Sequence, residues 1–449
     1  MALHEEGSCA VAIGIDAAVV ANHHIVVRRP QAGHAGEVVD DFTAPPTLAG
    51  LDALAKRVSK WPGAVAVAEP TSMTWLPLAV TLGNAGVELA LVGNRHSARL
   101  RAALAGKNKS DPIDARVLSH AGEFFELGPA RIPDAAELAL RRAIQRRGKA
   151  LVEANRALRR VISLARWAFP DVWNACAGSR PTALGVLTRW PRVDLLARAR
   201  TSSILEVVAQ HTRGVSDVER RARAIRDAAG RWTTFWDGHL DVEALGWEVA
   251  ELVADLAAGE ARVERATVQA RRYWHQIHGD DPLLLSVPGM GPLTAPTVRA
   301  FLGDGGQFES AKQAQAYVGL NPSNWSSGQT ASPSRGITKE GPSVLRLAFY
   351  QAANVARTRD PQLAEFYKRL MTERGHCHTK ANCAVARKLV ARTWSTLTTG
   401  ALYEMRDVDG APVTRAEGTR LAATYAVDNT VRRRSRAQSA ATHRGRLTR

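Results

Sequence analysis

The sequence predicts an α/β domain built on a mixed sheet, followed by a long, mainly helical region, and two observations carry that expectation. Between residue 10 and about residue 128, short β-rich runs alternate with helical ones. Past residue 130 the strand signals stop and apolar residues recur every seven positions. At 449 residues, 45% of them hydrophobic, the chain is long enough for two or three domains with real cores.

The first strand signal is AVAIGID at residues 10–16, followed by HHIVVRR at 23–29 and a polar stretch from Val39 to Phe42. A helical stretch around LDALAKRVSKW (51–61) leads into AVAVAEP (64–70). A second helix around WLPLAVTLGNAG (75–86) leads into VELALVG (87–93). Hairpin-compatible strands followed by β/α alternation predict a mixed sheet flanked by helices, the element order of a ribonuclease H-like sheet.

Beyond it, Ile144, Leu151, Leu158 and Ala165 recur at intervals of seven, with Ala154 and Val161 between them. That spacing predicts a long helix with a coiled-coil-like seam. Its other faces are basic: Arg142, Arg146, Lys149, Arg156, Arg159 and Arg160. A second seam through Leu245, Val249, Leu252, Leu256, Val263, Ala266 and Ala270 predicts another long helix, able to pair with the first or with another subunit. Residues 170–240, between the seams, carry prolines, tryptophans and many arginines without an assignable role.

The turn SVPGMGPLTA at 286–295 either aims backbone N–H groups at a phosphate or joins two helices for architectural reasons. Residues 317–341 are poor in helix formers, and a clear helix follows in SVLRLAFYQAANVART. His376, Cys377, His378 and Cys383 lack a second ligand pair at knuckle spacing, so they are read as the start of an amphipathic helix and not as a zinc site. Regularity fades after residue 404. The last twenty residues hold seven arginines, among them Arg432, Arg433 and Arg434, and no acid, which predicts a disordered arm touching nucleic acid through charge.

Sixty Lys and Arg against 43 Asp and Glu give a formal charge of +17, the signature of a partner made of phosphates. Four scattered cysteines form no disulfide framework and fit a reducing, cytoplasmic compartment. No apolar run approaches the ~18 residues of a membrane span, and no basic-then-apolar leader is evident.

Chemistry points to four acids. Asp16 closes the β-rich run AVAIGID, Glu69 closes AVAVAEP, and Asp111 and Asp114 lie three apart in the helical stretch KSDPIDA. Strands ending in carboxylates can set both acids at one sheet edge, and the D-x-x-D pair shares a helix face. Singly, each acid is explained as a turn or helix cap; together they ask for a common cause. Such a cluster repels itself without a cation. Hard oxygen donors suit Mg²⁺, and two ions ~3.5 to 4 Å apart can clamp both oxygens of an in-line phosphodiester attack.

The segments GID, AEPT, RAALAGKNKSDPIDARVLS, YVGLNPSNWSSG and RGITKEG resemble the DEDD-type insertion-sequence transposases related to the Piv and MooV DNA invertases. The likeness covers residues 10–128 and about 280–400. It implies a RuvC-like metal-binding domain at 1–128, a helical coiled-coil-like connector at 129–278 and a C-terminal transposase domain at 279–404 with a serine nucleophile; residues 405–449, read from composition, are expected to form a basic, disordered tail. It also implies two Mg²⁺ ions, with Mn²⁺ able to substitute, held by Asp16, Glu69, Asp111 and Asp114. The partners implied are double-stranded donor and target DNA, a structured noncoding guide RNA, and further copies of the chain as a dimer or tetramer. The nucleophile is Ser326 or Ser327, and the serine directly before the glycine, Ser327, is the better match.

Two stretches depart from the pattern. PTSMTW follows Glu69 where a glycine and a tyrosine are expected nearby, and QTASPS follows the S-S-G stretch where a basic K-x-R run is expected. The missing phosphate contact would then come from Arg335 and Lys339. Two rival readings remain: a junction-resolving nuclease using water as nucleophile, and a nucleic-acid-binding protein whose acids are structural.

Overall fold

The structure, a computed structural model, describes residues 11–31, 34–106, 108–176, 179–211, 217–322, 326–327, 330–331 and 336–437. It divides into two compact units, Met1–Asp134 and Ala135–Arg449.

The first unit runs β1 (Ala12–Asp16), β2 (His23–Gln31), β3 (His34–Ala44), α1 (Leu48–Val58), β4 (Val65–Ala68), α2 (Trp75–Asn84), β5 (Glu88–Leu91), α3 (Asn94–Leu104), α4 (Asp111–Ser119) and α5 (Ala121–Phe124). The five strands form one sheet in the order β3-β2-β1-β4-β5. β1, β2 and β3 pair antiparallel, whereas β4 and β5 continue from β1 in parallel, so the sheet is mixed as expected. Alternation along the strands sorts the two faces. Ile13, Ile15, Ala66 and Ala68 pack with Leu54 and Val58 of α1 and Leu78 and Leu82 of α2. Val67 and Ala90 pack with Leu100 of α3 and Val117 and Leu118 of α4 on the other face.

Two elements differ from the sequence expectation. The polar stretch near Val39 belongs to an 11-residue strand, β3. It is an edge strand whose Glu37, Val38, Asp41 and Thr43 face solvent while only Phe42 and Ala44 are buried, so its apolar alternation is confined to one end. Helix α3 was not expected at all. Only Ser97 and Leu100 are buried along it, too few to write a helical period.

The second unit contains α6 (Ala135–Ala168), α7 (Pro170–Ala175), α8 (Arg180–Arg189), α9 (Val193–Arg198), α10 (Thr201–Gln210), α11 (Val218–Phe235), α12 (Val242–His278), α13 (Pro282–Ser286), α14 (Thr294–Leu302), α15 (Ala311–Val318), the two-residue strands β6 (Ser326–Ser327) and β7 (Thr330–Ala331), then α16 (Ser343–Ala356), α17 (Pro361–Thr372), α18 (His378–Thr399) and α19 (Arg415–Thr424). The two predicted seams are α6 and α12, 34 and 37 residues long. They pair with each other and run antiparallel. Arg147 Nε donates to Thr267 Oγ1 at 2.8 Å, and Gly259 lies so close to Ala154 that a Cβ there would come 3.0 Å from its Cα.

Residues 170–240, unassigned from sequence, fold into α7 to α11 around a core of their own that includes Phe169, Val186, Ile204, Ile225 and Ala229. This small helical cap sits where α6 ends and α12 begins. At the opposite end, Ile144 and Trp274 join a larger core with α13 to α18. The glycine-rich turn is architectural: Gly289, at φ +84°, lies where a Cβ would come 2.1 Å from Ala352 O of α16, and Gly291 N–H donates to Thr294 Oγ1. His378 opens α18 as an ordinary helix residue, its Nδ1 paired with the Tyr367 hydroxyl at 2.8 Å.

The expectation of a disordered arm from residue 405 is corrected for residues 405–437. Arg406 and Pro412 form a β-bridge, α19 follows, residues 429–437 are helical, and Val427 is buried in the main core with Val431 against it. Apolar residues spaced among the arginines are enough to dock this segment, and the Ser435 hydroxyl accepts the His378 N–H at 3.0 Å. Residues 438–449 lie outside the described residues.

Candidate active site

Strand register brings the first two acids together. β1 and β4 are parallel with Ile15 opposite Ala68, so the next residues, Asp16 and Glu69, emerge side by side at the same edge. Helix α4 delivers the other two. Ser110 is its N-cap, Asp111 its first residue, and Asp114 stands one turn on. The helix N-terminus carries positive partial charge, which favours both carboxylates.

α4 crosses β1 at unusually short range. A Cβ on Gly14 would lie 1.8 Å from Ala115 O and 2.4 Å from Ser119 N, so glycine alone permits this approach. The far end of α4 is held by Arg28 of β2, a fully buried guanidinium. It donates from Nη2 to Ser119 O at 3.0 Å and from Nε to Ser119 Oγ at 3.2 Å, and pairs with Glu123.

The electrostatics register the convergence. Burial raises Asp16 first, then Asp111, Asp114 and Glu69 raise it further against Lys109, lifting its pKa to about 6. Two residues missed in the sequence neutralise the cluster, and both lie on α3, one turn apart. Ser97 Oγ donates to Glu69 Oε1 at 2.5 Å. Arg101 Nη1 donates to Asp114 Oδ1 at 2.8 Å. The guanidinium is held above its ordinary range by that bond and by the nearby Asp114, Glu69 and Asp16. A basic residue ten before the first D of D-P-I-D was visible, but no apolar period marked its helix.

These donors are all hard oxygens, the set that suits Mg²⁺ or Mn²⁺. Among the described residues no three His, Cys, Asp or Glu side chains stand in ion-enclosing geometry; Ser97 and Arg101 hold one oxygen each of Glu69 and Asp114. A guanidinium thus lies where a cluster of negative charge calls for a cation. The turn after Glu69, which departs from the expected pattern, closes with Thr71 N–H on Glu69 O and places Ser72 at φ +53°, a left-handed conformation that favours glycine.

In the second unit, Ser326 and Ser327 form β6, paired antiparallel with Ala331 and Thr330. The flanks of this segment zip together: Pro322 bridges Ile337, Thr338 N–H donates to Asn321 O, and Lys339 N–H donates to Gly319 O. Lys339 is exposed and adopts φ +60°. Arg335 and Trp325 lie outside the described residues. The predicted contact residues Arg142, Arg146, Lys149, Arg156, Arg159 and Arg160 are all exposed on α6, and Arg432, Arg433 and Arg434 are exposed after α19.

Residues 281–368 match a family described as "Transposase IS116/IS110/IS902 family". Residues 13–170, which span the sheet and all four acids, match a DEDD-type family of the IS110 group described as "Transposase". The chain belongs to the IS116/IS110/IS902 transposase family. Among similar proteins, the "Insertion element IS110 uncharacterized 43.6 kDa protein" of Streptomyces coelicolor is 26% identical over 88% of this chain and 96% of its own length. The "Pilin gene-inverting protein" of Moraxella lacunata is 32% identical over 28% of this chain and 38% of its own. The "Transposase for insertion sequence element IS1328" of Yersinia enterocolitica is 36% identical over 27% and 36%. This transposase contains, among the described residues, no helix long and apolar enough to cross a membrane.

Proposed function

We propose that this transposase cuts and rejoins DNA strands of an insertion sequence with Ser327 as nucleophile and with Asp16, Glu69, Asp111 and Asp114 as ligands of divalent cations. The convergence of the four carboxylates, expressed in the raised pKa of Asp16, is the observation that carries this reading. Mg²⁺, with Mn²⁺ as a substitute, would supply Lewis-acid stabilisation of the charge that develops on phosphate oxygens.

The chain's own groups do the rest. Ser327 Oγ attacks phosphorus as its proton passes to water, forming a phosphoserine ester as the P–O bond to the leaving strand breaks and the leaving oxygen takes a proton from water; the hydroxyl of the second strand reverses the step. Arg101 holds Asp114 in place and, were a cation bound to Asp114, would be free to face phosphate. Lys339, exposed at the base of the β6 segment, adds a phosphate contact. Family resemblance supports a noncoding RNA that chooses target and donor by base pairing, and assembly of two or four copies.

Incubation of the protein with substrate DNA and its RNA tests the chemistry. A covalent protein–DNA adduct is expected that Ser327→Ala abolishes, and Asp16→Asn should remove both adduct and cleavage. If Ser327→Ala still cleaves, water is the nucleophile and the junction-nuclease reading replaces this one. Cleavage and joining untouched by Asp16→Asn would leave only a binding role for the acids.

A further inference from the structure

The cap at the end of the long hairpin carries an aromatic cluster that the chemistry above does not use. Trp167, next to last in α6, meets Trp236 edge to face at 6.2 Å between ring centres. Phe235 meets Trp232 at 5.0 Å and Trp236 at 4.8 Å, both edge to face. Two rings are anchored through their indole N–H groups, Trp236 to Ala168 O at 2.6 Å and Trp232 to an Asp171 carboxylate oxygen at 3.1 Å. The other two are open: Trp167 is 52% and Phe235 60% exposed. A rigid aromatic group that leaves its outer rings in water is costly as mere core.

What leads to it is basic. On α6, Arg146, Lys149, Glu153, Arg156 and Arg160 succeed one another at three- and four-residue steps, with Glu153 paired to Arg262 of α12, and the next steps along the same face reach Ser163 and Trp167. All four cations are exposed. A residue eleven positions on has turned by only ~20° and risen ~16 Å, so Arg156 and Trp167 share one line along the helix. On α11, Arg231 is exposed and lies one turn before Phe235.

We propose that this stripe and tip bind an unpaired DNA strand, with Arg156 and Arg160 on its phosphates and Trp167 and Phe235 stacked on its bases. Cations tracking a backbone toward aromatic faces are how proteins hold single strands without reading sequence. Breaking and rejoining strands, the work of a transposase, exposes unpaired bases. A second copy of the chain fits poorly, because a two-fold contact on this face would set arginines against arginines. The inference rests on membership of the transposase family and not on the roles given to Ser327 or the four acids.

Fluorescence anisotropy of the full-length protein with a labelled 20-nucleotide single strand of DNA, the same sequence as duplex, and its RNA counterpart tests it. Trp167→Ala/Phe235→Ala and Arg156→Ala/Arg160→Ala should each weaken single-stranded DNA binding about tenfold. Duplex affinity should hold in the aromatic variant, and its melting temperature should fall only by the edge-to-face contacts these two rings give up. Unchanged single-strand binding overturns the proposal, as does an equal loss on duplex or a loss confined to RNA. So does a light-scattering shift in subunit number with DNA affinity intact, which would assign the tip to self-association.

Discussion

Asp16 ionises near pH 6 in the fold and near 3.8 as a free side chain, chiefly because it is half buried and secondly because three acids face it. Between those values the folded protein binds more protons than the unfolded chain. The contribution of this group to stability is therefore full below about pH 3.8 and is lost as pH rises through about 6. For chelator-treated protein, melting curves across this window should show that component, and Asp16→Asn should flatten it. Parallel profiles for the two proteins would refute the assignment. If Asp114 ligates a divalent ion, Arg101 competes with that ion for the same oxygen. Arg101→Ala should cost the metal-free protein about 1–2 kcal/mol and, in thermal-shift titrations with Mn²⁺, lower the concentration at half effect. An unchanged titration would mean that the guanidinium is not in the ion's way. Asp16 and Glu69 were legible because they end β-rich runs, and Asp111 and Asp114 because they stand three apart in one helical stretch, whereas Ser97 and Arg101 were hidden on a helix that buries almost nothing apolar.

At the level of elements, the placing of α4 depends on one residue without a side chain. Gly14→Ala must push Ala115 O away from β1, which is expected to cost about 2–3 kcal/mol and to move Asp111 and Asp114 away from Asp16. Urea unfolding midpoints measure the first effect, and loss of the Asp16-dependent step in the melting profile measures the second. A variant with wild-type stability would show that α4 has slack at this crossing. The sequence showed AVAIGID as a strand because its alternation is local. It did not show that the glycine in the middle is a docking surface, since that depends on a helix about a hundred residues away. The long helices were readable from their seven-residue repeat, and their mutual pairing was one of two options until Arg147 met Thr267 and Ala154 met Gly259.

Across the whole molecule, the charge of +17 makes DNA binding a matter of released counterions. If the exposed face of α6 contacts phosphates through Arg142, Arg146, Lys149, Arg156 and Arg160, replacing all five by Ala should reduce the slope of log K against log salt by about 4. Binding isotherms at several salt concentrations supply that slope, and an unaltered value would place the contacts elsewhere. The basic C-terminal segment is a mixed case: its arginines were plain in the sequence, but Val427, Val431 and Ser435 dock residues that composition alone marks as disordered.

By itself the sequence determined the strand and helix alternation of the first 128 residues apart from β3 and α3, the four acids, the two long seams and the phosphate-seeking charge, because each is written in the spacing of near neighbours. Tertiary structure alone decided which groups hold the acids, why Gly14 is glycine, that residues 170–240 build a capped tip, and that residues 405–437 fold. Those features arise from contacts between segments far apart along the chain, where burial and close approach, not local periodicity, select the partner.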